Sequence, residues 1–268
     1  MSTVKNEVKI SSVSLMSGID CTATIVPSSE KGIRFHLGDK TVEAIIENVV
    51  STDHCTVIGN AGIKVALIEH FMAACSICNI DSLDVYLTHY ELPILDGSSK
   101  GWVELFQRAE IDAKDDKSYV LSEPVQYING KTHLVILPSD KLSITYSVNF
   151  NHPDLVQKWV SYAPEKLSEI IDARTFGYLK ELEAYQQAGF ARGVSIENTV
   201  GLTEDGYTTE LRSDLEPAKH KILDLIGDLR LTGFNPLKLK AEIIVKEAGH
   251  TVHTMVAKLL KEKIQEEK

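Results

Sequence analysis

The polar run Asp112-Ala-Lys-Asp-Asp-Lys117 constrains the fold of this chain most, because the succession of strand-like and helix-like segments starts afresh beyond it. Before it, residues 21–26 are β-branched and stop at Pro27-Ser28-Ser29, and residues 32–36 alternate up to Gly38-Asp39. Residues 64–67 run into a helix expected over 68–78, where apolar side chains recur every three or four positions. A strand over 81–87 and an amphipathic helix over 102–109 complete the first half. After the polar run, strands over 119–128 and 132–137 flank the hairpin signal Asn129-Gly130, and 142–150 is a further strand. Helices are expected over 164–171, 179–188 and 216–231, a strand over 240–247, and a helix from 254 to the end. The mixture lacks regular βαβ alternation. The fold class is therefore α+β, in two similar sheet-plus-helix domains spanning 1–115 and 116–268.

At 268 residues the chain can bury a core without disulfide staples. Its 38 acidic against 28 basic side chains exclude a binder of the nucleic-acid backbone, which needs clustered positive charge. No apolar run approaches the ~18 residues of a membrane span, so no integral membrane segment is expected. The start Met1-Ser-Thr-Val-Lys5 has no signal-peptide layout, and four unevenly spaced cysteines read as reduced thiols. Both point to the cytoplasm.

Chemistry concentrates in Lys219-His-Lys-Ile-Leu-Asp-Leu-Ile-Gly-Asp228. Ser213-x-x-Glu216 reads as a capping box for this helix, and Pro217 suits its first turn. His220 and Asp224 share one face, a spacing that can bind one tetrahedral Zn²⁺, and Asp228 lies a turn further on. The competing reading is an amphipathic helix with a solvated His and Asp. Glu69-His70 opens an otherwise apolar helix and needs something to satisfy it: His70 as a third ligand with Glu69 as a base, or solvent. In Ala248-Gly249-His250, with His253 three residues on, either histidine can be the reactive one, or both are simply exposed. His36, His54, His89, His133 and His152 read as surface residues, and Cys75-x-x-Cys78 as helix packing.

Together, Ile68-Glu-His-Phe71, Asn79-Ile-Asp81, Glu91-Leu-Pro-Ile-Leu-Asp-Gly-Ser98, Asp172-Ala-Arg-Thr-Phe-Gly177, His220 to Asp228 and Gly249-His250 resemble, in order and separation, the UDP-3-O-acyl-N-acetylglucosamine deacetylases of lipid A synthesis. The resemblance implies two packed α+β domains with the site between them, and a cation, Zn²⁺ with Fe²⁺ as the alternative, on His70, His220 and Asp224. It implies Glu69 as general base, His250 held cationic by Asp228, and Thr175 as a hydroxyl donor to the oxyanion. Lys221 is expected to point away from the ligand face and meet substrate phosphate or sugar. Residues 178–202 correspond to the family's βαβ insert around the acyl chain, with Leu179, Leu182, Ala191, Ile196 and Thr199 in the passage and Leu15 and Phe176 also against substrate. The implied partner is a small acylated UDP-amino-sugar, the implied state a monomer. The chain departs from the family pattern at Met16, in place of a histidine, at Val194, in place of a glycine, and at Glu247-Ala248, where the family has Lys-Ser before Gly-His. These departures keep two alternatives open: a paralogous amidohydrolase on another acylated amino sugar, and a non-catalytic sugar-nucleotide binder. Retention of Glu69 counts against the second, since a binder needs no general base.

Overall fold

The computed structural model describes residues 1–113 and 117–267. The boundary expected at 115/116 lies outside the described residues. Before it, a five-stranded sheet runs in the order Val8–Val13, Asp20–Pro27, Ser82–Leu87, Gly32–Leu37, Lys40–Glu43. Period-two patterning makes this sheet. Cys21, Ala23 and Ile25 face inward from one strand, as Ile33 and Phe35 do from another, and all are buried. A three-stranded antiparallel sheet, Val49–Ser51, Val57–Asn60 and Ile63–Ala66, leads into helix α1 (Glu69–Ile77), followed later by α2 (Lys100–Arg108).

The second half builds a seven-stranded sheet around Leu239–Lys246, with Thr132–Pro138 antiparallel on one side and Ser143–Val148 parallel on the other. Its helices are α3 (Leu167–Ile171), α4 (Leu179–Gln187), α5 (Glu216–Arg230) and α6 (His250–Lys263). One apolar core runs through both halves, with Phe71 of α1 edge-on to Phe35, Trp102 and Phe106. The architecture is α+β. α1 and α5 touch at its centre because position 227 is glycine. A Cβ there would sit 2.1 Å from the Glu69 carbonyl oxygen, closer than atoms can approach.

Several expectations need correction. The strand expected over 119–128 is two, Tyr119–Leu121 and Val125–Asn129, interrupted at Pro124, which has no N–H to donate. The C-terminal helix begins at His250, not 254. It ends at Lys263, and Ile264–Glu266 pairs with Tyr119–Leu121. The capping box does not form. Glu216 instead accepts from the backbone N–H of Arg174 and Arg212 and from the buried Arg174 guanidinium, because a charge-assisted pair outcompetes a neutral cap. Nor is His152 a surface residue: it is buried, its Nε2 donating to the Gly206 carbonyl and its Nδ1 accepting from the Asp154 N–H. His36 and His89 are half-buried beside Asp84 and Ser17 respectively.

Candidate metal centre

Three helices position the site. Glu69 and His70 occupy the first turn of α1, whose other side chains are nearly all apolar and buried, so packing carries both polar groups inward. α5 presents His220, Asp224 and Asp228 on one face, while Ile222, Leu223, Leu225, Ile226 and Leu229 anchor it in the core. His250 stands at the start of α6.

His70, His220 and Asp224 converge, each offering a ligand atom within 4.8 Å of the others'. His220 Nδ1 donates to the Ala173 carbonyl at 2.9 Å, which leaves Nε2 as a bare lone pair 3.3 Å from Asp224 Oδ1. His70 Nε2 lies 3.7 Å from the same oxygen. Asp224 Oδ1 is buried and has no hydrogen-bond partner. Burial pushes the His70 imidazole down to about 3 and also lowers His220, so both rings are neutral near pH 7. Burial works against charge on Asp224 too, but Lys221 and the surrounding rings hold it well below the usual carboxylate range. Neutral imidazole lone pairs facing an unpartnered carboxylate oxygen make the donor set of a tetrahedral divalent cation with one position left open. The residues fit such an ion.

Around this centre Glu69 is almost fully buried and accepts from the Thr56 backbone N–H at 3.1 Å. Burial pushes its carboxyl up to about 7, against the pull of His250. His250 Nδ1 donates to Asp228 Oδ2 at 2.8 Å. Burial disfavours its charge, yet Asp228 and Asp224 outweigh that and raise it to about 9, a cation at neutral pH. Asp228 itself is lowered to about 2, since the charge and N–H bonds of His250 and His253 overcome its burial. His253 Nδ1 shares Asp228 Oδ2 at 2.8 Å, but that ring is fully enclosed and meets Tyr146 Oη at 2.9 Å. Of the two histidines left open by sequence, His250 reaches the centre. Asp228, His250 and His253 also satisfy metal-ligand spacing, but each contact there is an ordinary hydrogen bond already made.

A cavity of about 470 Å³ adjoins the centre through Phe176, whose ring centroid is 6.1 Å from that of His220. Leu15, Thr175, Phe176, Leu179, Leu182 and Ile196 line it, as do Ala191, Thr199 and two of the departing positions, Met16 and Val194. It sits beside a β-α-β unit in which Thr175–Tyr178 and Thr199–Leu202 pair in parallel around α4. His54, read as a surface residue, borders this cavity with its ring edge-on to Tyr185. Glu247 does not line it; the side chain pairs with Lys131 at 3.4 Å.

One site residue is placed otherwise than expected. Lys221 does not point away: three residues before Asp224 on α5, it turns over the ligand face and donates to Asp224 Oδ2 at 2.5 Å. One is new. Thr56 Oγ1 donates to Asp228 Oδ1 at 2.5 Å and lies 3.3 Å from His250 Nδ1, while its backbone N–H holds Glu69. Nothing in the sequence marks it, because a threonine before a strand is common.

A buried carboxyl poised near neutrality, a histidine cation and a two-His, one-Asp centre beside an apolar cavity have the layout of a metal-dependent hydrolase. The sequence pattern of the LpxC family, UDP-3-O-acyl N-acetylglycosamine deacetylase, matches residues 1–262, and the chain belongs to that family. It is 35% identical over 271 residues to the UDP-3-O-acyl-N-acetylglucosamine deacetylase of Leptospira biflexa serovar Patoc, covering 96% of this chain and 88% of that protein. The proteins of the same name from Geotalea uraniireducens and Thermosynechococcus vestitus are 38% and 32% identical, covering 96% of this chain and 87% and 93% of their own lengths. Among the described residues no helix is long and apolar enough to cross a membrane.

Proposed function

We propose that this chain hydrolyses the 2-acetamido group of a UDP-3-O-acyl-N-acetylglucosamine, releasing acetate, as a step of lipid A biosynthesis. The observation that carries this reading is the orphaned Asp224 Oδ1 facing His70 and His220 beside Glu69 and the apolar cavity. His70, His220 and Asp224 would hold Zn²⁺, with Fe²⁺ as the alternative. When bound, the ion supplies a Lewis acid that polarises the acetyl carbonyl and acidifies water.

Glu69 takes the proton of the attacking water, and its elevated pKa suits a base working near neutrality. The His250 cation and the Thr175 hydroxyl stabilise the oxyanion that develops as water adds to the carbonyl carbon. Collapse breaks the C–N bond, and the proton held by Glu69 or His250 passes to the departing sugar amine. Asp228 keeps His250 charged and oriented. Lys221, lying over the ligand face, meets the sugar or its phosphate. Leu15, Phe176, Leu179, Leu182 and Ile196 sheathe the acyl chain, each buried methylene contributing about 0.8 kcal/mol. The working unit in this reading is a cytoplasmic monomer of two domains, 1–115 and 116–268, with no nucleic-acid partner.

The test pairs elemental analysis of purified protein with acetate release from the UDP substrate. About one metal per chain and turnover lost on chelation support the reading. Metal-dependent hydrolysis confined to other acetamides would indicate a paralogous amidohydrolase, and binding of the sugar nucleotide without hydrolysis would indicate a sensor.

A further inference from the structure

A second cavity, of about 430 Å³, opens where the last turn of α5 meets strand Gly32–Leu37 and the C-terminal strand Ile264–Glu266. Arg230 lines it, two residues past Asp228 and so on roughly the opposite side of α5. Its side chain is a buried charge that makes no ion pair among the described residues, although the nearby Asp81 carboxylate favours its charged form. The residue is only 4% exposed, Nη2 donates to the Ile80 carbonyl at 2.8 Å, and Nε has no partner. Among the described residues Arg230 makes no ion pair, and neither does Lys31, which lines the same cavity.

The described carboxylates that border the cavity act on Arg230 at most through space, as Asp81 does, and none of them accepts from its free Nε. Asp81 Oδ1 is taken by the Ser2 N–H and the Ser82 hydroxyl, Glu266 pairs with Lys117, and Glu43 makes no ion pair with Arg230. Lys261, the other cation bordering it, is engaged by Glu47. The carbonyl end of α5 offsets part of the guanidinium's charge, but a helix terminus does not replace a hydrogen-bond acceptor at Nε. A desolvated guanidinium with a free donor edge beside an open cavity is what a planar or tetrahedral oxyanion recognises.

We propose that this cavity binds a small oxyanion, a carboxylate or a phosphate, held between Arg230 and Lys31. Ile33, Met72 and Phe234 supply apolar wall for a short carbon body on the ligand. This site is separate from the metal centre and independent of the reading of its chemistry.

The experiment titrates inorganic phosphate, and separately acetate, into the metal-loaded protein at constant ionic strength, following heat and thermal unfolding. At least one anion should bind saturably. Arg230→Leu should abolish that binding, and Lys31→Ala should weaken it about tenfold, the loss of one charge-assisted contact. Binding should persist in His220→Ala, which separates it from an anion seated on a cation at the metal centre. Preference for phosphate or for acetate assigns the ligand class. If Arg230→Leu fails to fold, Lys31→Ala decides alone. Absence of saturable binding to the wild-type protein, unchanged affinity in Lys31→Ala, or loss of binding in His220→Ala overturns the proposal.

Discussion

Replacing Thr56 with valine removes one hydroxyl and keeps the shape. The backbone N–H that holds Glu69 stays, so the base is undisturbed. What goes is the 2.5 Å bond to Asp228 Oδ1, leaving one oxygen of a fully buried carboxylate without that donor while the other still serves His250 and His253. A hydrogen bond to a buried charge contributes about 1.5–3 kcal/mol. If most of that loss falls on the geometry of His250 in the transition state, kcat drops about tenfold to a hundredfold, at ~1.4 kcal/mol per tenfold. KM and metal content should hold, since Thr56 touches neither His70, His220 nor Asp224 in the contacts it makes. Thr56→Ser, which keeps the donor, should recover most of the rate. Steady-state kinetics on all three proteins, with metal content measured in parallel, decide the matter. A Thr56→Val enzyme at wild-type kcat, or a Thr56→Ser enzyme no better than the valine variant, would refute Thr56 as the residue that positions the Asp228–His250 pair.

Glu69→Ala should leave metal content near one per chain while turnover falls by about 10²–10⁴, the worth of a general base. Metal loss there would reassign Glu69 to the ligand set. His220→Ala should strip the metal, read by elemental analysis after dialysis. Gly227→Ala forces a Cβ to within 2.1 Å of the Glu69 carbonyl, so α1 and α5 must part, and thermal unfolding should show a loss of several kcal/mol, about 2–4 °C per kcal/mol for a chain of this size. On the far sheet, Asp84 is lowered to about 2, burial being outweighed by Arg34, His36 and Ser28. A depressed carboxylate stabilises the fold above its unfolded pKa and loses that contribution as pH falls through the folded value. The stability gap between wild type and Asp84→Asn should therefore narrow from pH 4 down to pH 2, and a gap independent of pH would exclude the ion pair as its source.

What the sequence by itself determined is what a local period can carry. The four-residue spacing of His220, Asp224 and Asp228 announces a shared helix face, and Glu69-His70 at the head of an apolar helix announces buried polar groups, because helix geometry repeats every 3.6 residues wherever the helix ends up. Strand alternation in residues 21–26 and 32–36 likewise announces a half-buried sheet. Tertiary structure alone decided which groups meet. Thr56 reaches Asp228 across 172 residues of chain, Glu216 leaves its capping role for Arg174, Lys221 folds back on Asp224, and Arg230 is carried to a cavity with its Nε unpartnered among the described residues. Each of these contacts is a contest between local preference and long-range packing. Its outcome depends on which charges the whole fold brings within about 3 Å in a medium where water no longer competes, and no window of sequence records that.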